Sequence, residues 1–512
     1  MNLLFPLSPL LVTGFGALLL MLTEAFGTPR VRAAAGEEVV DAGAGRSGEL
    51  ALGAAVVLLA GAVLSVAVWL AGPAASPELK LLEPWLVFDG VALFMSFVLC
   101  LGGAFTALLA GGYLPEHQID RGEFFPLLIL ATLGAQVLSA SGDLLMLFVG
   151  LETMSLAVYA MIGLRRGSAR AVEAALKYFL LGSFAAALML FGGALLYGAT
   201  GHTDLRGIGQ AVASIGQPES TVNAGLVLLG LTLNLVGLAF KVSAVPFHMW
   251  TPDAYEGAPT PTTTFMAVAV KTAAFAILMR LLLTSFGDER AMSWGAGWPP
   301  VLALLAIVTM TVANLIAGRQ ESVKRMLAYS SIAHAGYVLI GLVATMRSPI
   351  EGQASVMVYL LTYTVSTAGA FGALILCGSR GAEAVSYDDL AGIGRRHPAA
   401  ALVFTLFLLS LAGMPPTAGF FGKLYIFRAA IDSELYWLTV LGLLNSLVAA
   451  YYYLRVIVSM YFREPAPGAP VATPMRSGLV TGALVLAAFL VLAIGLAPAT
   501  PLAMALGSLT GG

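Results

Sequence analysis

The chain has 512 residues, of which 59% are hydrophobic and only 11% charged, with 26 Lys and Arg against 28 Asp and Glu. A soluble domain carries about 25% charged residues, and the apolar runs here repeatedly reach the roughly 20 residues that cross a bilayer, so a soluble globular fold is excluded. A net charge of −2 gives no electrostatic footprint for nucleic acid, and long runs without dyad alternation exclude a barrel of strands.

The segment 1–26 lacks a basic n-region and runs straight into an apolar stretch, which reads as a retained first helix and not a cleaved leader. The length criterion gives about fourteen spans, near 5–26, 50–71, 87–111, 124–141, 143–164, 170–198, 222–246, 262–286, 299–318, 323–345, 353–378, 398–430, 434–461 and 477–502. Linkers are short except 27–49, whose Ala, Gly, Glu and Arg mixture reads as a mobile loop. Gly43, Gly45 and Gly48 form a GxGxxG pattern there, but a dinucleotide site needs a strand before it, and here a span follows at once. The two cysteines, Cys100 and Cys377, stand singly in apolar helices with no neighbouring histidine, the setting of packing residues and not of a metal or iron-sulfur site.

The chain divides into helices 1 to 3 over 1–123, a five-helix unit over 124–286, a second over 299–461 and a last helix within 462–512. Span 7 carries Lys241 just ahead of Pro246, and span 12 carries Pro415 and Pro416 ahead of Lys423. Proline removes a helix hydrogen bond and clashes with the preceding turn, so spans 7 and 12 are expected to break near mid-membrane. Broken helices at corresponding places in two halves mark a transport site, and an offset of five spans turns one unit over relative to the other. Lys and Arg number fifteen in the odd-numbered loops and six in the even ones, which puts the odd loops in the cytoplasm and both termini outside.

Four of the six lysines, Lys177, Lys241, Lys271 and Lys423, lie inside apolar stretches. An ammonium in hydrocarbon costs roughly 2.5–3.5 kcal/mol even on the lenient insertion scale, so each needs a partner, a wet cavity or a function. Glu152 is the one carboxylate deep in a clear span, and Lys241 or Lys177 is its expected cation. Joined, such a pair keeps both charges; apart, the lysine is able to release a proton, which arginine is not. His334 in span 10 and His248 after the span 7 break are candidate relays, because imidazole titrates near neutral pH. The structural alternatives are a snorkelling lysine, a packed histidine and a static ion pair between helices.

The stretches ALKYF at 175–179, FKVSAVPFHMWTPDAYEGAPTP at 240–261, SVKRMLAYSSIAHAGY at 322–337 and GMPPTAGFFGK at 413–423 resemble the antiporter-type membrane subunits of respiratory complex I. The likeness covers most of the chain and is strongest to subunit N, the equivalent of mitochondrial subunit 2. Trp250 to Gly257 discriminates best, since subunits L and M and the Mrp antiporters usually have leucine after the tryptophan and histidine where Tyr255 stands. The lack of a long lateral helix after span 14 also argues against subunit L.

The resemblance implies an all-α polytopic fold and a proton channel in which Glu152, Lys241, Lys271 and Lys423 match the family's pathway residues, with Lys177 matching a further lysine of subunit N. It implies a non-redox, proton-translocating role in an NADH-quinone oxidoreductase of a bacterial cytoplasmic membrane. This chain would bind no cofactor itself, and quinone, FMN and iron-sulfur clusters would belong to partner subunits. The expected partners are the antiporter-like subunit M and the small subunits K and J. The competing readings are a stand-alone Mrp-type monovalent cation/proton antiporter and a purely structural scaffold.

Overall fold

A computed structural model describes residues 3–27, 46–72, 81–119, 121–378, 382–465 and 472–510. Among these the chain is helical, without a named strand; its bridges are isolated pairs between connectors. Ahead of the first break come α1 (Ser8–Gly27), α2 (Ser47–Leu70), α3 (Gly90–Glu116), α4 (Phe124–Ala140), α5 (Leu144–Ile162), α6 (Ala169–Thr200), α7 (Leu205–Ala213) and α8 (Ala224–Val242). Next come α9 (Trp250–Gly257), α10 (Thr260–Phe265), a π turn over Met266–Val270, α11 (Lys271–Ser285), α12 (Pro299–Ala317), α13 (Val323–Ala344) and α14 (Pro349–Cys377). The chain ends with α15 (Ile393–Arg396), α16 (Pro398–Ala412), α17 (Ala418–Asp432), α18 (Tyr436–Phe462), α19 (Gly478–Leu496) and α20 (Ala499–Thr510).

Twelve of the described helices, counting Thr260–Ser285 as one, are long and apolar enough to cross a membrane. The 17-residue α4 and the broken pair α16 and α17 complete the fourteen spans read from the sequence. Helix starts are set by short polar side chains that accept from otherwise unpaired amides: Asp89 for α3, Asp143 for α5, Ser168 for α6, Asn223 for α8 and Ser322 for α13. The expected mobile loop at 27–49 falls mostly outside the described residues; its last part, Ser47–Glu49, is the first turn of α2. Gly48 therefore sits in a helix, and the rest of the glycine pattern lies outside the described residues.

α13, α14 and the α10–α11 span are almost wholly buried, whereas α1, α6 and α18 show most of their surface outward. Lipid tails are as apolar as leucine, so close packing of small residues has to hold such helices together. α4 and α5 show this: a Cβ on Gly134 would stand 2.4 Å from the Met154 nitrogen, and one on Gly150 would stand 2.6 Å from the Leu138 nitrogen. That backbone contact fixes the helix carrying Glu152.

Spans 7 and 12 are broken, but the prolines lie beyond the stops. α8 ends at Ser243 (φ 65°) and α16 at Gly413 (φ 87°), each a left-handed cap three residues ahead of Pro246 and Pro416. The left-handed residue ends each helix, and the proline, which lacks an N–H, keeps the connector from continuing it. The odd-numbered loops meet on one face, where Arg325 pairs with Asp253 (2.8 Å) and Arg463 with Asp388 (2.7 Å). The even loops meet on the other, where Arg206 pairs with Glu83 (2.9 Å) and Arg347 with Glu434.

Candidate functional site

Lys241 occupies the last turn of α8 and is fully buried. Its ammonium donates to Ser155 Oγ at 2.7 Å and lies 5.8 Å from the Tyr159 ring centre and 5.6 Å from that of Tyr178. Ser155 is one turn beyond Glu152 on α5, so the expected lysine and carboxylate face one pocket without touching. Glu152 is half-buried, and its Oε1 is shut from solvent with no hydrogen-bond partner. Trp250 at the start of α9 closes the pocket, donating to the Phe240 carbonyl (3.0 Å) and stacking on Tyr178 at 4.4 Å between centroids.

Lys271 follows directly on the π turn of span 8. A π turn inserts a residue and rotates the downstream helix about its axis, and such turns favour functional positions. Here the rotated side chain, 2% exposed, donates to the Ser331 carbonyl of α13 at 2.7 Å. The Ser331 hydroxyl accepts from Tyr363 at 2.8 Å. One turn on, His334 bonds Tyr359 through Nδ1 (2.7 Å) and Tyr453 through Nε2 (3.1 Å), and Tyr453 continues to Ser330.

Lys423 stands on α17 and reaches back across the second break. It donates to the Ala412 carbonyl (2.9 Å), at the end of α16, and to Ser446 Oγ (2.8 Å), and lies 5.2 Å from the Tyr337 ring centre. The negative end of a helix dipole suits an ammonium there. Gly413 is needed twice: its φ is positive, and a Cβ would stand 2.9 Å from Lys423 Cδ. Tyr337 touches the His334 ring at 5.8 Å between centroids, so a polar stripe runs from Lys271 through Ser331, Tyr363, His334 and Tyr337 to Lys423.

Two candidate residues stand apart. Lys177 is not drawn to Glu152: it bonds Glu173 (2.7 Å) and Asp253 (2.9 Å) with 44% of its side chain exposed, in a charge cluster that Arg325 completes. α6 is 32 residues long, so residue 177 lies near its odd-loop end, within reach of α9. His248 is half-buried in the 243–249 connector, its Nδ1 lacks a partner, and no hydrogen bond among the described residues links it to the lysines. Pro246, Pro415 and Pro416 are exposed in the connectors.

The sequence reading missed several buried polar groups. Lys324 of α13 pairs with Glu383 at 3.1 Å; Tyr113 and Thr260 (2.6 Å) also donate to that carboxylate. Burial alone would raise the Glu383 carboxyl, but the Lys324 charge and these hydrogen bonds outweigh it and hold the group at about 2. At the opposite face Arg280 forks onto both oxygens of Asp89 at 2.8 Å. Asn314 gathers Tyr337 (3.2 Å), Tyr452 (3.0 Å) and Asn445 beside the Lys423 end. Asp89 just before a glycine-led span, and tyrosines four apart at 359 and 363, were the available signals.

Residues 141–449 match the family described as NADH:quinone oxidoreductase/Mrp antiporter, transmembrane region. The chain is 66% identical over 498 residues to NADH-quinone oxidoreductase subunit N 1 of Sorangium cellulosum, covering 97% of each. It superimposes with a TM-score of 0.75 on a chain of respiratory complex I from Thermus thermophilus, at 35% identity and with 97% of this chain and 98% of that one covered. A chain of the Mrp complex from Dietzia shares the fold, with a TM-score of 0.81 at 22% identity over 99% and 97% of the two chains. On this match and these identities, the chain belongs to the NADH:quinone oxidoreductase/Mrp antiporter family, in its subunit N branch.

Proposed function

We propose that this chain is a proton-translocating, non-redox membrane subunit of an NADH-quinone oxidoreductase. One observation carries this reading. Lys241, Lys271 and Lys423 are buried in the interior, and the bonds their ammonium groups make go to hydroxyl or carbonyl oxygens and not to carboxylates. Among the described residues no carboxylate is in contact with any of the three, and lysine, unlike arginine, is able to surrender a proton when desolvated. A structural role would be served as well by apolar residues of similar volume.

The proton moves from the Glu152 and Lys241 pocket to Lys271, along the serine, tyrosine and histidine stripe to Lys423, and out through the even-loop face. The units 124–286 and 299–461 supply the two broken helices of this route. Closing the distance between Glu152 and Lys241 holds the lysine charged; opening it frees the proton to move on, so a charge change in a neighbouring subunit is felt through this pair. Quinone, FMN and iron-sulfur chemistry belongs to partner subunits, with M, K and J the membrane neighbours. The odd loops face the cytoplasm of a bacterial inner membrane and both termini face outside, in keeping with the basic residues of the odd loops.

Inverted membrane vesicles carrying the whole complex test this. Lys241→Ala should remove most NADH-driven acidification with the complex still assembled. Wild-type proton uptake per NADH oxidised would refute the reading. Exchange of sodium or potassium for protons by the purified chain alone in liposomes would favour the antiporter instead.

A further inference from the structure

A groove of about 370 Å³ lies between α8 and α12, bordered by the connector between α11 and α12. α8 lines it from Ala224 to Ala239, about 22 Å at 1.5 Å per residue. That exceeds the ~15 Å depth of one hydrocarbon leaflet. The walls are apolar, with Leu228, Leu231 and Leu235 facing Val301 and Leu305, and Phe247 lies toward the mid-membrane end. The groove follows α8 over that length, a shape that suits one extended polymethylene chain.

The even-loop end of the groove carries one charge of each sign. Arg290 is exposed; its Nη1 donates to the Ile215 carbonyl at 2.7 Å, which leaves the rest of the guanidinium fork for a ligand. Two residues before it, Asp288 accepts backbone amides at Oδ2, while its Oδ1 is buried with no partner. A carboxylate at the groove's end suits a cationic donor, and a free guanidinium edge suits a phosphate.

We propose that this groove binds a phospholipid whose headgroup ends in a primary ammonium, of the phosphatidylethanolamine class. The phosphate sits on Arg290, the ammonium beside the Asp288 carboxylate, and one acyl chain lies along α8. The chain then seals the seam where the Val245 amide of the first break bonds Thr309 Oγ1 of α12 (3.0 Å), beside the buried Lys241. The assignment does not depend on the direction or stoichiometry of proton flow.

The whole complex, purified in mild detergent, is incubated with phosphatidylethanolamine carrying an acyl-chain diazirine, and labelled peptides are mapped after illumination. Labelling should concentrate on residues 224–239 and resist competition by phosphatidylcholine, whose trimethylated head has no N–H. Arg290→Gln and Asp288→Asn should each lower it roughly tenfold, the size of one charge-assisted hydrogen bond. Leu228→Trp, at an exposed position, should block the groove while NADH oxidation is retained. Equal labelling by both lipids, or crosslinks from these residues to another subunit, would overturn the assignment. Should the charge variants fail to assemble, the competition between the two lipids on the wild-type complex decides it.

Discussion

The polar interior is open around Lys241 and closed around His334. In the first region Glu152 Oε1, Ser243 Oγ, Thr251 Oγ1 and the hydroxyls of Tyr159 and Tyr178 are buried without hydrogen-bond partners. In the second, His334 and the hydroxyls of Tyr337, Tyr359, Tyr363, Tyr452 and Tyr453 are all paired with protein groups, Tyr255 on α9 and Thr364 and Thr367 on α14 being the exceptions. An unpaired buried polar group costs about 1–3 kcal/mol, and a satisfied network holds its members in place. The closed region is therefore held in one arrangement, and on the proposed function the open one is where water and a changing charge would act.

The largest effect should come where α13, the helix that carries the closed network, is anchored. Lys324→Met leaves Glu383 buried without its counter-charge, a change that costs about 3–5 kcal/mol. Thermal unfolding of the purified complex measures it. Glu383 is held at about 2, below its ordinary 4.5. Its contribution, on the order of 3 kcal/mol, is thus complete above pH 4.5 and is lost as pH falls from 4.5 toward 2. The wild type should soften across that window, and Lys324→Met should lose the dependence.

Within the closed region Tyr453→Phe strips a partner from both His334 and Ser330, and should lower stability by about 1–3 kcal/mol with a matching fall in proton flux. Gly413→Ala should cost about 1–2 kcal/mol from the left-handed backbone alone. It also places a methyl against Lys423 Cδ, so pumping should fall further than the stability change accounts for. The same vesicle assay and melting curve check both. A Tyr453→Phe protein as stable as wild type would show that the network is not closed.

The lysines were legible because a charge in an apolar run is conspicuous at any alignment of helices. The tyrosines were less so: Tyr452 and Tyr453 in an apolar run look like packing residues, the spacing of Tyr359 and Tyr363 is a faint signal, and only tertiary contact joins them into one network. The partner of Lys177 was not legible, because hydropathy does not show that Asp253 lies beside it after the chain turns at Ser243. The prolines pointed to the breaks, yet the helices stop at Ser243 and Gly413, whose left-handed backbone composition does not announce. The π turn before Lys271 leaves no compositional mark at all, since Met266–Val270 reads as ordinary apolar helix.

The smallest stability change separates the two regions most cleanly. Tyr159 lies beside Lys241, and its hydroxyl has no protein partner, so Tyr159→Phe removes a group already unsatisfied. Deleting such a group relieves a desolvation cost, and the melting temperature should hold or rise slightly, within about 0.5 kcal/mol of wild type. Tyr453→Phe deletes the same atom type from the closed region and should destabilise. If the open region conducts through water held by these hydroxyls, Tyr159→Phe should slow proton uptake severalfold while stability stays level. A variant that keeps both would show that the hydroxyl takes no part in transfer, and one that loses stability as Tyr453→Phe does would erase the distinction between the regions.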